Sequence, residues 1–166
     1  MRRKASASRR EARDEEAARD RCLRLLGLRA RSSEELRERL TRAGFANEVI
    51  EVVLSGLERA GLVNDEEFAR SWVASRQASG ESGRRKLRWE LRRKGICEDL
   101  IRRVVDQEID DETEMRQAMA LAQRRLKGQP VEPKALPRLR RLLLRRGFGF
   151  DAVDSVLQSI VGEAEQ

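Results

Sequence analysis

The sequence has no histidine and no tyrosine, two cysteines, three prolines, two tryptophans and four phenylalanines, and only five of its 36 basic residues are lysine. Each shortage removes a class of chemistry. Without imidazole there is no histidine base, no histidine-dependent triad and no His metal ligand, and without a phenol there is no tyrosine acid. Cys22 and Cys97 stand 75 residues apart with no CxxC, so neither a zinc site nor a redox pair is indicated and a reduced, cytoplasmic protein is expected. No run approaches the ~18 apolar residues of a membrane span. Met1 to Ala7 leads into more charge instead of an apolar signal core. There is no Gly-rich phosphate cradle, nucleophile elbow or paired-acid motif, so the chain is expected to be neither an enzyme nor the holder of a cofactor.

What the chain has in excess is charge. Of its 166 residues, 39% are charged, well above the ~25% usual in globular proteins, and the formal net charge is +7. Arginine is the better bidentate binder of phosphate and carboxylate. The codon usage of a GC-rich genome would raise it over lysine equally well. The charge is also segregated. Residues 1–13 carry +5 among Ser and Ala and read as a basic, disordered arm over 1–16. Residues 14–82 carry −3 and residues 83–103 carry +6. Six acids without a base follow from Asp106 to Glu114, then +9 over 116–146 and −4 over the last twenty residues.

An internal repeat organises the chain. Leu36, Leu40, Gly44, Phe45, Val49, Ile50, Val53 and Leu54 recur 51 positions later as Leu87, Leu91, Gly95, Ile96, Leu100, Ile101, Val104 and Val105. A third copy, 103 positions after the first, holds Leu139, Leu143, Gly147, Phe148, Ala152, Val153, Val156 and Leu157. Repeats of about 50 residues argue for stacked supersecondary units. The spacings within each copy are helical, and the shared glycine falls where a helix must stop at a left-handed residue. Ser32 with Glu35, and Asn64 with Glu67, read as helix starts, and Pro137 suits a first turn. A further helix precedes each pair, through Ala18, Cys22 and Leu26, then Phe68, Trp72 and Arg76, then Met115, Met119 and Gln123.

The predicted fold is therefore all-α, a tandem array of three three-helix repeats, elongated or curved because each unit needs a neighbour to bury its faces. The repeats are placed at 17–63, 64–110 and 111–162, with a tail at 163–166. A loop from Lys127 to Pro133 is a candidate hinge before the third repeat.

Two helices stand out as candidate binding faces. One carries Arg84, Arg85, Lys86, Arg88, Arg92, Arg93 and Lys94 around Leu87 and Leu91; its counterpart in the third copy carries Arg138, Arg140, Arg141, Arg145 and Arg146. The first copy mixes Glu34, Glu35 and Glu38 with Arg37, Arg39 and Arg42, as an ordinary solvated face does. Loss of nearly all acids twice at one register points to an anionic partner, nucleic-acid phosphate or an acidic protein surface, against the plainer reading of solvent exposure. Aromatics are not interleaved apart from Trp89, so base stacking in a single-strand groove is not indicated. Trp72 reads as core; Trp89 reads equally as core edge or contact anchor. The acidic run 106–114, and Asp65, Glu66 and Glu67, read as helix-terminal charge.

The stretch from Asn64-Asp65-Glu66-Glu67-Phe68-Ala69-Arg70-Ser71-Trp72 through Arg76 and Gly80 to Arg85-Lys86-Leu87-Arg88-Trp89-Glu90-Leu91-Arg92-Arg93-Lys94-Gly95-Ile96 resembles the RecX family of recombination regulators. Leu36-Arg37-Glu38-Arg39-Leu40 with Gly44-Phe45, and Arg145-Arg146-Gly147-Phe148, extend the resemblance to about residues 17–162. Asn64 stands where the family usually has an acid, which leaves its capping role intact. The resemblance implies a cytoplasmic bacterial protein without catalytic chemistry or cofactor. Such a protein binds the RecA recombinase filament and mostly inhibits its growth, ATPase, strand exchange and coprotease activity in DNA repair and the SOS response. A monomer is expected, with the basic helices meeting the filament or its DNA. The alternative is a sequence-nonspecific DNA-binding protein that acts by occupying DNA.

Overall fold

A computed structural model of the chain describes residues 2–127 and 134–164, with side chains described for 11–127 and 134–162. Among these residues there are nine helices and no strand: α1 (Arg2–Leu26), α2 (Ser33–Arg42), α3 (Asn47–Arg59), α4 (Asp65–Ser79), α5 (Arg84–Arg93), α6 (Glu98–Glu108), α7 (Asp111–Leu126), α8 (Ala135–Arg145) and α9 (Phe150–Ala164). The expected all-helical fold is the observed one. No helix among the described residues is long and apolar enough to cross a membrane. The candidate hinge 127–133 lies, apart from Lys127, outside the described residues. The chain divides into two compact units, Met1–Phe68 with Lys94–Ile96, and Ala69–Arg93 with Cys97–Gln166.

In the first unit, α1 and α2 both pack on α3. Ala18, Cys22, Leu36, Leu40, Val49, Ile50, Val53, Leu54, Leu57 and Val63 form the core, with Phe45 packed against it. Burial pushes the Cys22 thiol above its ordinary pKa. Over the segment expected as a basic arm, 1–16, α1 runs continuously from Arg2. The reason is local. Between Arg2 and Leu26 there is neither glycine nor proline, and Ala, Arg and Glu are strong helix formers, so nothing in the arm stops a helix that the core nucleates at Ala18 and Cys22. At its far end the Leu25 carbonyl accepts from the Arg31 guanidinium at 3.2 Å and from the Leu28 N–H at 3.4 Å, which satisfies a helix-end acceptor.

The helix starts follow the expected chemistry with one variation. The Ser32 hydroxyl accepts from Glu35 N–H at 3.2 Å, and Asn64 Oδ1 accepts from the N–H groups of Glu66 and Glu67. The Glu35 carboxylate, however, engages Arg29 and Lys94. Burial alone would raise its pKa, but hydrogen bonds from Arg29 and Lys94 outweigh this and hold the carboxyl at about 2. Asp65 opens α4 and also accepts from the Ser33 N–H and hydroxyl, at 2.8 and 2.6 Å, at the start of α2.

The stops follow the repeat. Gly44, Gly95 and Gly147 have φ of +85°, +75° and +83°. After α2, Phe45 N–H reaches Leu40 O and Gly44 N–H reaches Thr41 O; after α8, Phe148 N–H reaches Leu143 O and Gly147 N–H reaches Leu144 O. Both are the paired closure of a Schellman end, which requires a left-handed residue. The three glycines differ in surroundings. A Cβ on Gly44 would meet nothing, whereas one on Gly95 would strike the Glu34 side chain and one on Gly147 would strike the backbone nitrogen and Cβ of Lys86.

In the second unit α5 packs on α6, and α7, α8 and α9 pack together. Leu87 and Leu91 are wholly buried on α5, each contributing roughly 1.5–3 kcal/mol by the burial of a leucine side chain. Ala118, Leu121, Ala122, Leu139, Leu143, Phe148, Val153, Val156 and Ile160 form the core of the last three helices. Here the helix spacing was right but its phase was off by one. Met115 is 42% exposed, and the buried face of α7 begins at Glu114, which is 1% exposed. On α4 the buried residues are Phe68, Ala69 and Val73, while Trp72 is only partly buried. The buried face of α7 thus includes a carboxylate, which hydrophobicity alone does not reveal.

Candidate functional site

The candidate site is the basic surface of α5 and α8. Most of its α5 charge is already partnered. Glu114 receives Arg84 twice, from the backbone N–H at 3.0 Å and from Nε at 2.7 Å, and also accepts from Gly149 N–H at 3.3 Å. Arg84 further pairs with Asp111, and these hydrogen bonds raise its pKa although burial opposes them. Arg84 is therefore a structural anchor at the start of its helix. The Glu114 carboxylate also meets the positive end of the α5 dipole.

The remaining cations of α5 fall into two groups. Arg88 pairs with Asp106, Arg92 with Glu98 at 2.6 Å, and Lys86 lies 3.9 Å from Glu90. Glu90 also accepts from Trp72 Nε1 and Arg76 Nε, both at 2.9 Å. Lys94 falls in the other compact unit, where it donates to Glu35 at 2.7 Å and its carbonyl accepts from the Ser32 hydroxyl at 2.6 Å. Arg85 and Arg93 differ. Among the described residues no carboxylate pairs with either, and each guanidinium lies over an aromatic ring, Arg85 on Phe150 and Arg93 on Trp89, both 4.9 Å from the centroid.

On α8, Arg140 pairs with Asp154 at 3.1 Å and Arg146 with Glu81 at 2.6 Å. Arg138, Arg141 and Arg145 are exposed and have no carboxylate partner among the described residues; Arg141 Nε donates to the Pro137 carbonyl. These three line an open cleft of about 1180 Å³ between α7 and α8, together with Arg125, Lys127 and Lys134. Leu139 contributes to its floor. Arg125, Lys127 and Lys134 were not among the predicted site residues, although the +9 run over 116–146 contained the signal.

The acidic run resolves unevenly. Asp110 caps α7 by accepting from Thr113 N–H at 2.7 Å, and that hydrogen bonding lowers its pKa. Glu114, four residues on, is an interior ligand for backbone and guanidinium. No cluster of potential metal ligands occurs among the described residues.

The ends of the two basic helices meet. Gly83 N–H donates to Arg146 O at 2.9 Å and Arg85 N–H donates to Gly147 O at 3.0 Å. Carbonyls at the end of α8 thus satisfy donors at the start of α5, joining the negative end of one dipole to the positive end of the other. Arg145 and Arg146 are thereby held beside the first turn of α5.

Fold and site together define an all-helical protein of three-helix sets whose arginine surface is only partly neutralised. Comparison with known proteins is specific. Models of the first and second three-helix domains of RecX match residues 18–57 and 64–105. The regulatory protein RecX of Amycolatopsis mediterranei is 44% identical over 133 residues, covering 79% of this chain and 75% of that protein. That of Mycolicibacterium smegmatis is 37% identical over 159 residues, covering 92% and 84%. The crystal structure of RecX from Lactobacillus salivarius superposes with a TM-score of 0.82 at 20% identity, over 90% of this chain and 97% of that one. The chain belongs to the RecX family, a family of regulatory proteins.

Proposed function

We propose that this chain is a non-enzymatic regulator that binds the RecA recombinase filament and restrains its growth, ATPase, strand exchange and coprotease activity in the cytoplasm. The observation that carries this reading is its 44% identity to a protein named as a RecX regulator. The partly neutralised surface supports it. A filament on DNA is a long polyanion, and Arg85, Arg93, Arg138, Arg141 and Arg145 are the cations of the candidate site not paired with a carboxylate among the described residues. The twelve-residue basic site is thus narrowed to these five as partner contacts. The division into repeats at 17–63, 64–110 and 111–162 is kept as part of the same proposal.

The test uses purified protein with RecA on single-stranded DNA, reading ATP hydrolysis and strand exchange. A dose-dependent fall in both at stoichiometric protein is expected. No effect on either would overturn the reading.

A further inference from the structure

Arg85, Trp89 and Arg93 follow one another at intervals of four along α5. They therefore share one face at a rise of about 6 Å per step. The fold adds a fourth member that the chain order conceals: Phe150, the first residue of α9, lies against Arg85. The face thus holds two ring and guanidinium pairs, Phe150 with Arg85 and Trp89 with Arg93. Both rings are open to solvent, Trp89 at 51% and Phe150 at 56%. Each holds one of the two α5 arginines that no carboxylate neutralises among the described residues.

We propose that this stripe binds single-stranded nucleic acid, the two rings stacking on unpaired bases and the guanidinium beside each ring contacting a neighbouring phosphate. Alternation of aromatic faces with cations is the arrangement by which such strands are held without sequence preference. A guanidinium resting on a ring is fixed in place, so less freedom is lost when it meets a phosphate. Duplex DNA fits less well, because its bases are stacked on one another and offer no free face. A protein hot spot also fits less well. About half of each ring residue stays open to solvent, unlike an anchor buried behind a surround that excludes water. The aromatics missing from the sequence of the basic helix are thus supplied partly by another helix.

The proposal does not depend on the recombinase reading, and its test contains no recombinase. The full-length protein is titrated with oligo(dT), an abasic strand of equal length and a duplex, following tryptophan emission and anisotropy at low salt. Trp72, whose indole N–H is held by Glu90, serves as the internal reference. Oligo(dT) should quench emission and bind more tightly than the abasic strand or the duplex. Trp89→Ala and Phe150→Ala should each weaken oligo(dT) binding roughly 5- to 100-fold while leaving abasic-strand binding and the melting temperature unchanged. Trp89→Phe should retain most of the binding and lose most of the quench. Equal affinity for abasic strand and oligo(dT), preference for the duplex, an unquenched Trp89 or no binding at low salt would each overturn the proposal.

Discussion

Helices α5 and α8 stand at equivalent places in the repeat and are both rich in arginine, yet the fold disposes of their charge differently. On α5, acids from α6, α7 and its own sequence claim Arg84, Lys86, Arg88 and Arg92, and the two remaining arginines lie on aromatic rings. On α8, only Arg140 and Arg146 meet a carboxylate, and Arg138, Arg141 and Arg145 line an open cleft. A run of like charge in a sequence is therefore not a run of free charge. What matters is which acids the fold brings opposite, and Glu114 shows how far such an acid can be withdrawn from the surface.

The largest effect expected from breaking this difference is at Glu114. Glu114→Ala removes the acceptor for Arg84 and two backbone N–H groups in a buried place, which should lower unfolding stability by roughly 3 kcal/mol or more, read from urea denaturation. Arg84→Ala should also destabilise the protein, unlike a change at a free surface arginine. A fully stable Glu114→Ala protein would remove the anchoring role of this pair.

Next in size is the contrast between glycines. At Gly44 an alanine should cost only the left-handed backbone penalty, roughly 1–2 kcal/mol. At Gly147 the same change adds a collision with Lys86, so Gly147→Ala should melt at a distinctly lower temperature than Gly44→Ala. Equal melting temperatures would mean that the end of α8 does not press on α5 as described.

Smaller still is the effect of emptying the α8 cleft. Arg138→Ala, Arg141→Ala and Arg145→Ala should each leave stability within about 0.5 kcal/mol, because no carboxylate or buried partner is lost. Together they should weaken binding to an anionic partner and reduce its dependence on salt. An unaltered salt dependence would assign the contact elsewhere.

A pH-dependent effect belongs to the first unit. The folded-state pKa of Glu35 is depressed from 4.5 to about 2, so its contribution to stability is present above pH 4.5 and is lost as the pH falls through about 2. Acid denaturation of Glu35→Gln should therefore be flatter than that of the unaltered protein across this window. An identical acid limb would show that Arg29 and Lys94 do not hold the carboxylate as described.

Much of the architecture was legible because it depends on local rules. Glycines at one register, with leucines four apart before them, specify a helix and its left-handed stop without knowledge of any partner, and all three took that conformation. What was illegible depended on distant residues. Nothing near Glu114 announces that two backbone donors from elsewhere in the chain converge on it, so Met115 attracted the core assignment that its neighbour held. Arg84 and Arg88 could not be told from Arg85 and Arg93 without Asp111, Glu114 and Asp106 in place. Phe150 stands 57 residues beyond Arg93 in the chain, and only the packing around α8 and α9 brings it to Arg85.

The central claim is that regulation acts through the arginines the fold leaves unneutralised. The direct measurement is inhibition of RecA strand exchange by two multiple variants, Arg85, Arg93, Arg138, Arg141 and Arg145 to alanine, and Arg88 with Arg92 to alanine. The first should fold normally and lose most of its inhibition, and the second should retain most of it. Full inhibition by the first variant, or loss confined to the second, would contradict the account.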